Sequence, residues 1–335
     1  METRYFLGVD IAKDTFQAAL TVDGVNFLDQ EVENSPKAIR LYFQSIKRKL
    51  NFPFDNLTVC MEHTGIYSCP LLNFLLQGNI KVCMEPALQI KRSQGMIRGK
   101  SDRVDARRIA QYAFKNSSEL RLWKPLRTAL QKVKALLSVR ERLIKTKTQI
   151  EVPLNESGEF IDLQIQKMVK KNCSATVKAI KKDIVKIESE IDQLVKEDPS
   201  LQHQVKLATS VPGIGKITSL NIILSTNEFT RINEVKKFAC YAGVAPFEHS
   251  SGSSVRGKTR VSKMANMRLK KLLHMAAMTS IQYNEEMRIF YQRKVAEGKN
   301  KMSVINAVRN KLISRVFACI KNQRLYQKDF QHVLA

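Results

Sequence analysis

The chain has 335 residues, 44% of them apolar, which is ample for folding and suggests two or three domains. Its 56 Lys and Arg residues outnumber its 31 Asp and Glu residues, and this net charge of +25 favours a nucleic acid partner over a small metabolite. No apolar run approaches the roughly 18 residues of a membrane-spanning helix, and the first residues do not resemble a secretory signal. We therefore expect a cytoplasmic protein with no membrane partner.

The cysteines and histidines exclude the common zinc-binding patterns. The six cysteines include no Cys-x-x-Cys pair, and the five histidines do not complete a Cys/His set. We expect the thiols to be reduced and mostly buried.

The first part of the chain alternates strand-like and helix-like patterns. Strands are predicted at about 4–10, 15–22, 26–33, 57–62 and 80–84, and helices at 37–50 and 68–77. Three leading strands followed by alternating helix and strand match the layout of a ribonuclease-H-like fold, a mixed sheet flanked by helices. We assign residues 1–120 to this α/β domain.

Four acidic residues stand at the ends of these predicted elements. Asp10 closes the first strand, Glu62 closes the strand that begins at Leu57, and Asp102 and Asp105 share one face at the start of a predicted helix. Clustered carboxylates repel one another, and a hard divalent cation such as Mg²⁺ would neutralise them. Two such ions can activate an attacking oxygen and stabilise a leaving oxygen at a phosphodiester. Taken singly, each acid also fits a structural role in a turn or at a helix N-terminus.

From about Leu126 the pattern becomes helical and charged, and we assign 121–200 to a helical coiled-coil region. Apolar residues there repeat with the 3-4-3-4-3 spacing that is typical of a coiled coil. They are Val177, Ile180, Ile184, Ile187, Ile191 and Leu194. A hairpin within one chain and a coil between subunits both fit this seam, and we favour the coil that joins subunits.

A Gly-x-Gly sequence follows, with Gly213, Gly215 and Lys216 between two helical patterns. Helix-hairpin-helix modules use such a turn to present backbone N–H groups to a DNA phosphate. A simple tight turn between helices would have the same sequence. A Walker A loop is excluded, because its Gly-x-x-x-x-Gly-Lys-Ser/Thr pattern is absent.

A serine-rich segment, 250–254, precedes a cluster of basic residues, and residues 249–284 include no acid. A hydroxyl nucleophile that approaches a phosphate needs cations to stabilise the charge that develops. A Ser/Gly segment alone is also typical of a linker. The predicted nucleic-acid contacts, which would hold phosphates without reading sequence, are Arg256, Lys258, Arg260 and Lys263, with Arg103 and Arg107 beside the helical acids.

The motifs together resemble the DEDD transposases of insertion sequences, relatives of the Piv-type DNA invertases. The resemblance spans nearly the whole chain. Its motifs are the Asp10 block, Glu62-His-Thr-Gly, Lys100-Ser-Asp-Arg-Val-Asp-Ala-Arg, Val211-Pro-Gly-Ile-Gly, Ala242-Gly-Val-Ala-Pro, Ser251-Gly-Ser-Ser-Val-Arg-Gly and Arg260-Val-Ser-Lys. It implies a RuvC-like N-terminal domain, a coiled-coil middle and a mainly α-helical C-terminal transposase domain at 201–335.

Residue by residue, the resemblance implies that Asp10, Glu62, Asp102 and Asp105 bind metal and that Ser251 is the catalytic serine. None of the five positions departs from the family pattern. The resemblance also implies that some members use a noncoding bridge RNA, which pairs with donor and target DNA. In those members a tetramer brings the RuvC-like site of one subunit to the serine domain of another.

We therefore expect a recombinase in which Mg²⁺ assists Ser251 and a phosphoserine links protein to DNA. Its partners would be donor and target DNA, a bridge RNA and further copies of the chain, as a dimer and as a tetramer on DNA. An alternative is a RuvC-like structure-selective endonuclease, in which metal-activated water releases free phosphate ends. A third interpretation is a basic coiled-coil nucleic-acid-binding protein whose acids are structural.

Overall fold

A computed structural model describes residues 4–50, 54–95, 99, 101–156, 160–251, 255–262 and 264–328. The chain divides into two units, Met1–Pro125 and Leu126–Ala335. No helix in the described ranges is long and apolar enough to cross a membrane.

The first unit contains a five-stranded mixed sheet of order β3-β2-β1-β4-β5. The first three strands are antiparallel neighbours, and β4 and β5 run parallel to β1. Asp23 and Gly24 both have positive φ, which suits the tight Asp-Gly turn between β2 and β3. The ribonuclease-H-like layout is confirmed. The strands are β1 (Tyr5–Ile11), β2 (Thr15–Val22), β3 (Val25–Glu33), β4 (Leu57–Glu62) and β5 (Lys81–Glu85).

Helices cover both faces of this sheet. They are α1 (Pro36–Leu50), α2 (Cys69–Gln77), α3 (Ala87–Arg92) and α4 (Asp102–Lys115). Leu7 and Val9 of β1 pack in the core that includes α1 and α2, whereas Phe6 packs in the core that includes α4. Because side chains alternate along a strand, Phe6, Gly8 and Asp10 share the α4 face.

The second unit is mostly helical, as predicted, and its described residues include a two-stranded hairpin. Its helices are α5 (Thr128–Glu156), α6 (Leu163–Glu197), α7 (Pro199–Thr209), α8 (Lys216–Thr226), α9 (Val235–Tyr241), α10 (Met267–Tyr283), α11 (Glu285–Ala296) and α12 (Lys301–Asn322). The hairpin strands are β6 (Pro246–Ser251) and β7 (Val255–Val261).

The heptad seam of α6 packs against α5 of the same chain, so the two helices form an intrachain hairpin, which is one of the two arrangements that the sequence left open. The reason is that α5 offers its own apolar residues to the seam, Leu130, Val133 and Leu137. Two ion pairs join the helices as well, Arg140 with Glu188 at 2.6 Å and Lys181 with Glu151 at 2.7 Å.

The α5–α6 hairpin shares one hydrophobic core with the helices α7 and α8 that follow it. Ile191 and Val195 of α6 lie in the same cluster as Leu201 of α7 and Leu220 of α8. The domain limit that we predicted at residue 200 therefore falls inside a continuous core.

Candidate functional site

The four predicted metal-binding acids stand on three elements of the first unit. Asp10 lies near the end of β1, Glu62 is the last residue of β4, and Asp102 and Asp105 are in the first turn of α4. The side chain of Ser101 caps α4 by accepting a hydrogen bond from the Val104 N–H at 3.3 Å. All four acids retain contact with solvent.

The direction of α4 brings its first turn toward the end of β1. The ring of Phe6 contacts the ring of Phe114 near the end of α4, with centroids 5.9 Å apart, while Gly8 lies against Ala106 and Ala110. Strand and helix therefore run antiparallel, and Asp10 lies toward the helix start that carries the other two acids. The carboxyl end of the parallel strand β4 lies at the same edge of the sheet.

Gly8 permits this close approach. A Cβ at this position would lie 2.2 Å from both the Ala106 carbonyl oxygen and the Ala110 nitrogen. Backbone atoms on a packed helix cannot yield that far, so only glycine lets α4 lie directly on β1.

A fifth acid, Glu85, was missed in the sequence. The tetrapeptide Val-Cys-Met-Glu occurs at 59–62 and again at 82–85, and β4 and β5 pair in register so that Glu85 lies opposite Glu62. The Glu85 residue is only 9% exposed. The repeated tetrapeptide is the signal that could have identified this residue, because adjacent parallel strands place equal positions side by side.

The chemistry of the predicted donor set fits a hard divalent cation. All its ligands are carboxylate oxygens, the type that Mg²⁺ prefers. Within the described residues, no group of three or more His, Cys, Asp or Glu side chains is already arranged to hold a metal ion. Asp105 is instead bonded to Arg108, whose Nη1 donates to Oδ1 at 2.9 Å. If these acids bind a cation, it would have to draw them together and compete with Arg108.

Two of the predicted nucleic-acid contacts have a partner inside the unit. Arg103 and Arg107 of α4 both donate hydrogen bonds to Asp29 of β3. The sequence predicts that these guanidinium groups contact phosphates; in the structure they bind the carboxylate of Asp29, and both side chains remain partly exposed. Asp29 was not recognised in the sequence, because it lies 74 and 78 residues from its partners.

The predicted Gly-x-Gly turn does join two helices, α7 and α8. Gly213 has a φ of +94° and packs on α10, where an added Cβ would lie 2.7 Å from the Ala276 carbonyl oxygen. Lys216 forms an ion pair with Asp192 of α6. Gly215 is exposed and has open space around it, and the first turn of α8 has no side-chain cap there. Of this motif, the backbone at Gly215 is the part most open to a phosphate.

The predicted catalytic serine lies on a β-hairpin, in the strand β6. Ser251 ends β6, and its backbone pairs with Val255 at the start of β7. Ser250 and Ser251 form strand here because they pair with Arg256 and Val255 of the segment that follows. Arg260 of β7 is exposed. The side chains of three residues lie outside the described part of the structure, namely Ser251, Arg256 and Lys258. Lys263 lies outside it entirely.

Contacts with the surrounding helices hold the base of this hairpin. The side-chain amide of Asn306 on α12 donates to the Val244 carbonyl at 2.7 Å, two residues before β6. After β7, the Asn266 N–H donates to the Tyr241 carbonyl at 2.8 Å. Asn306 is a third residue that the sequence did not reveal, since nothing nearby in the chain marks it.

The sequence matches transposase families over both units. Residues 205–292 match the family described as "Transposase IS116/IS110/IS902 family", and residues 7–156 match the DEDD family of IS110, described as "Transposase". The chain belongs to the IS110-type transposases.

Two curated relatives are similar to this chain over most of its length, and one solved structure resembles part of it. A pilin gene-inverting protein of Moraxella bovis is 27% identical over 97% of this chain and 98% of its own length. The transposase for insertion sequence element IS1111A of Coxiella burnetii is 24% identical over 68% of each chain. The structure of T. thermophilus RuvC with a Holliday junction substrate is 12% identical, with a TM-score of 0.28, and covers 36% of this chain and 99% of RuvC.

Membership of this family makes the protein a DNA-cutting enzyme. DNA is therefore its substrate, and the basic charge of the chain is suited to binding it.

Proposed function

We propose that this transposase cuts and rejoins DNA through a covalent phosphoserine, with Ser251 as nucleophile and with Mg²⁺ bound by Asp10, Glu62, Asp102 and Asp105. The observation that carries the proposal is the position of Ser251 at the end of β6, on a hairpin whose base is tied to α12 by Asn306. A nucleophile must be held in a fixed position, because small displacements of reacting groups cost large factors in rate.

The charge around the hairpin supports the same role. Its second strand carries Arg256, Lys258 and Arg260, and Lys263 follows, within a stretch that includes no acid from 249 to 284. These cations would stabilise the negative charge on the phosphate oxygens as serine attacks. Together with the open backbone at Gly215, they would also hold the DNA backbone without reading its sequence.

The proposed reaction conserves bond energy. The Ser251 oxygen forms a bond to phosphorus, its proton passes to a general base, and one strand leaves as a hydroxyl end. A hydroxyl end of the exchanged strand then attacks the phosphoserine and releases Ser251. A divalent cation bound by the four acids would supply charge neutralisation at the phosphate. No ATP is needed, which agrees with the absent Walker A pattern.

We further propose that a bridge RNA selects the DNA and that a tetramer performs the reaction. The four acids and Ser251 belong to different units of the chain, Met1–Pro125 and Leu126–Ala335. That division suits an assembly in which the acids of one subunit serve the serine of another. The high positive charge suits a second polyanion besides DNA.

The experiment is a strand-transfer assay with purified protein, Mg²⁺, labelled donor and target DNA, and RNA transcribed from the DNA that flanks the gene. On a denaturing gel, we expect labelled DNA that migrates with the protein. Ser251→Ala should abolish this species, and Ser250→Ala, the matched neighbour on β6, should keep it. Cleavage without any protein-linked DNA would favour the endonuclease instead, and an adduct formed equally without RNA would remove the guide from the proposal.

A further inference from the structure

Asp29 is a buried carboxylate on an outer strand of the sheet. Val25 and Phe27 of the same strand are 72% and 55% exposed, yet the side chain of Asp29 is 5% exposed. Its Oδ2 accepts hydrogen bonds from Nε and Nη2 of Arg103, at 3.2 and 3.1 Å, and from both Nε and Nη2 of Arg107, the former at 2.8 Å. A charge that leaves water must be paired, and here two guanidinium groups of one helix pair it.

The two arginines belong to the same turns of α4 that carry Asp102 and Asp105. Arg103 and Arg107 are four residues apart, so they lie on one face of the helix. The contact at Gly8 sets how closely α4 approaches β1. The pairs with Asp29 then restrain rotation of α4 about its own axis, because both bonds lie to one side of that axis. Such a rotation would carry the two acids away from the end of β1.

Stability alone does not account for this arrangement. The second oxygen of Asp29, Oδ1, and the hydroxyl of Tyr42 are both buried, and neither has a hydrogen-bond partner among the described residues. Burial, and to a smaller extent the charge of Asp29, raises the pKa of Tyr42. The side chains of Arg103 and Arg107 remain 62% and 42% exposed, and ion pairs with solvent-exposed partners contribute little net stability. These pairs instead favour one arrangement of the strand and the helix that they join.

We propose that Asp29 is a positioning residue, which acts through Arg103 and Arg107 to hold the first turn of α4 at the end of β1, where a divalent cation can draw Asp102 and Asp105 together with Asp10. This inference rests on the proposed function, in which those acids are metal ligands. Asp29 itself touches neither the cation nor DNA. Groups that orient metal ligands in this way typically change metal affinity by about 10- to 100-fold when they are removed.

Calorimetric titration of the full-length protein with Mn²⁺, without DNA, tests the proposal independently of catalysis. Asp29→Asn should raise the Kd for Mn²⁺ by about tenfold or more, and it should speed amide hydrogen exchange across residues 102–108. The matched control is Glu31→Gln, which removes an acid of the same strand that is bonded to Gln17 at 2.7 Å. In Glu31→Gln, the Kd for Mn²⁺ and the amide hydrogen exchange across residues 102–108 should equal those of the unmodified protein. An unchanged Kd in folded Asp29→Asn overturns the proposal.

Two further variants separate the possible failures. Arg107→Lys keeps the positive charge but loses the two-nitrogen contact, and it should shift the Kd in the same direction by a smaller factor, even if Asp29→Asn does not fold. If Glu62→Ala binds Mn²⁺ as well as the unmodified protein, the proposed metal site is wrong. If Glu62→Ala loses Mn²⁺ while the Asp29 and Arg107 variants keep the original Kd, only the positioning role is wrong.

Discussion

Glu62 and Glu85 lie directly opposite each other at the carboxyl ends of two parallel strands, β4 and β5. Two residues earlier, Cys60 and Cys83 form the equivalent pair, and both are buried beneath α4. This ladder of thiols and carboxylates makes the interior next to the acidic edge unfavourable for further negative charge.

The two thiols of this ladder should be chemically inert in the folded protein. Burial, with a smaller effect of the Glu85 carboxylate, raises the pKa of Cys83 to about 11, and burial raises the pKa of Cys60 further. Iodoacetamide at pH 8 should therefore modify exposed Cys69 and leave Cys60 and Cys83 unmodified, as read by peptide mass spectrometry. Urea should abolish the protection. Rapid labelling of Cys60 in the native protein would contradict the burial of this face.

Much of the first unit could be predicted because its strands have strong apolar patterns. The predicted strands and helices there agree with the observed ones to within one or two residues, and Asp10 and Glu62 were placed at strand ends by pattern alone. Such runs encode structure locally, since most residues of β1, β2, β4 and β5 are buried in the sheet.

What could not be predicted depends on distant partners. The pairing of Arg107 with Asp29 requires that α4 lie beside β3, which no local pattern states. The serine-rich strand β6 exists through its pairing with β7, and its composition alone suggests a linker. The seam of α6 was identified correctly, but its partner, α5, depends on which apolar surface is nearest in the folded chain.

Gly8→Ala should destabilise the first unit. The new Cβ would meet backbone atoms of α4 at 2.2 Å, and such overpacking costs about 1–3 kcal/mol or more. Gly78→Ala is the matched control, because a Cβ there would meet the Ile80 side chain at 3.4 Å, near ordinary contact. Urea unfolding monitored by circular dichroism should show a lower midpoint for Gly8→Ala only. Equal midpoints for the two variants would mean that α4 does not lie on β1 at Gly8.

The ion pairs of Asp29 should make the first unit sensitive to acid. The hydrogen bond from Arg107 lowers the pKa of Asp29 by more than burial raises it. A carboxyl with a lowered pKa in the folded state stabilises the fold above its unfolded pKa of about 3.9, and this stability is lost as pH falls through the lower, folded pKa. Asp29→Asn should therefore flatten the dependence of the free energy of unfolding on pH below about pH 4. The prediction fails if the variant and the unmodified protein lose stability in parallel there.

Asn306→Ala should weaken the attachment of the β6–β7 hairpin to α12. Removing the Asn306 amide leaves the Val244 carbonyl without this hydrogen-bond donor. For a buried group, such a loss lowers the free energy of unfolding by about 1–3 kcal/mol. We expect the rate of strand transfer to fall by about tenfold or more, because a small displacement of a reacting group costs a large factor in rate. The affinity for DNA should stay unchanged. The matched control is Asn310→Ala, one turn further along α12 and exposed. Comparable losses of strand transfer in both variants would argue against a specific role for Asn306.

Mass spectrometry can identify the residue that carries the DNA. Protein that has reacted with donor and target DNA is digested with nuclease and trypsin, and the peptide from Phe238 to Arg256 is sequenced by tandem mass spectrometry. Its four serines are Ser250, Ser251, Ser253 and Ser254. We predict a nucleotide attached to Ser251 alone. A nucleotide on another residue, or cut DNA with no modified peptide, would contradict it.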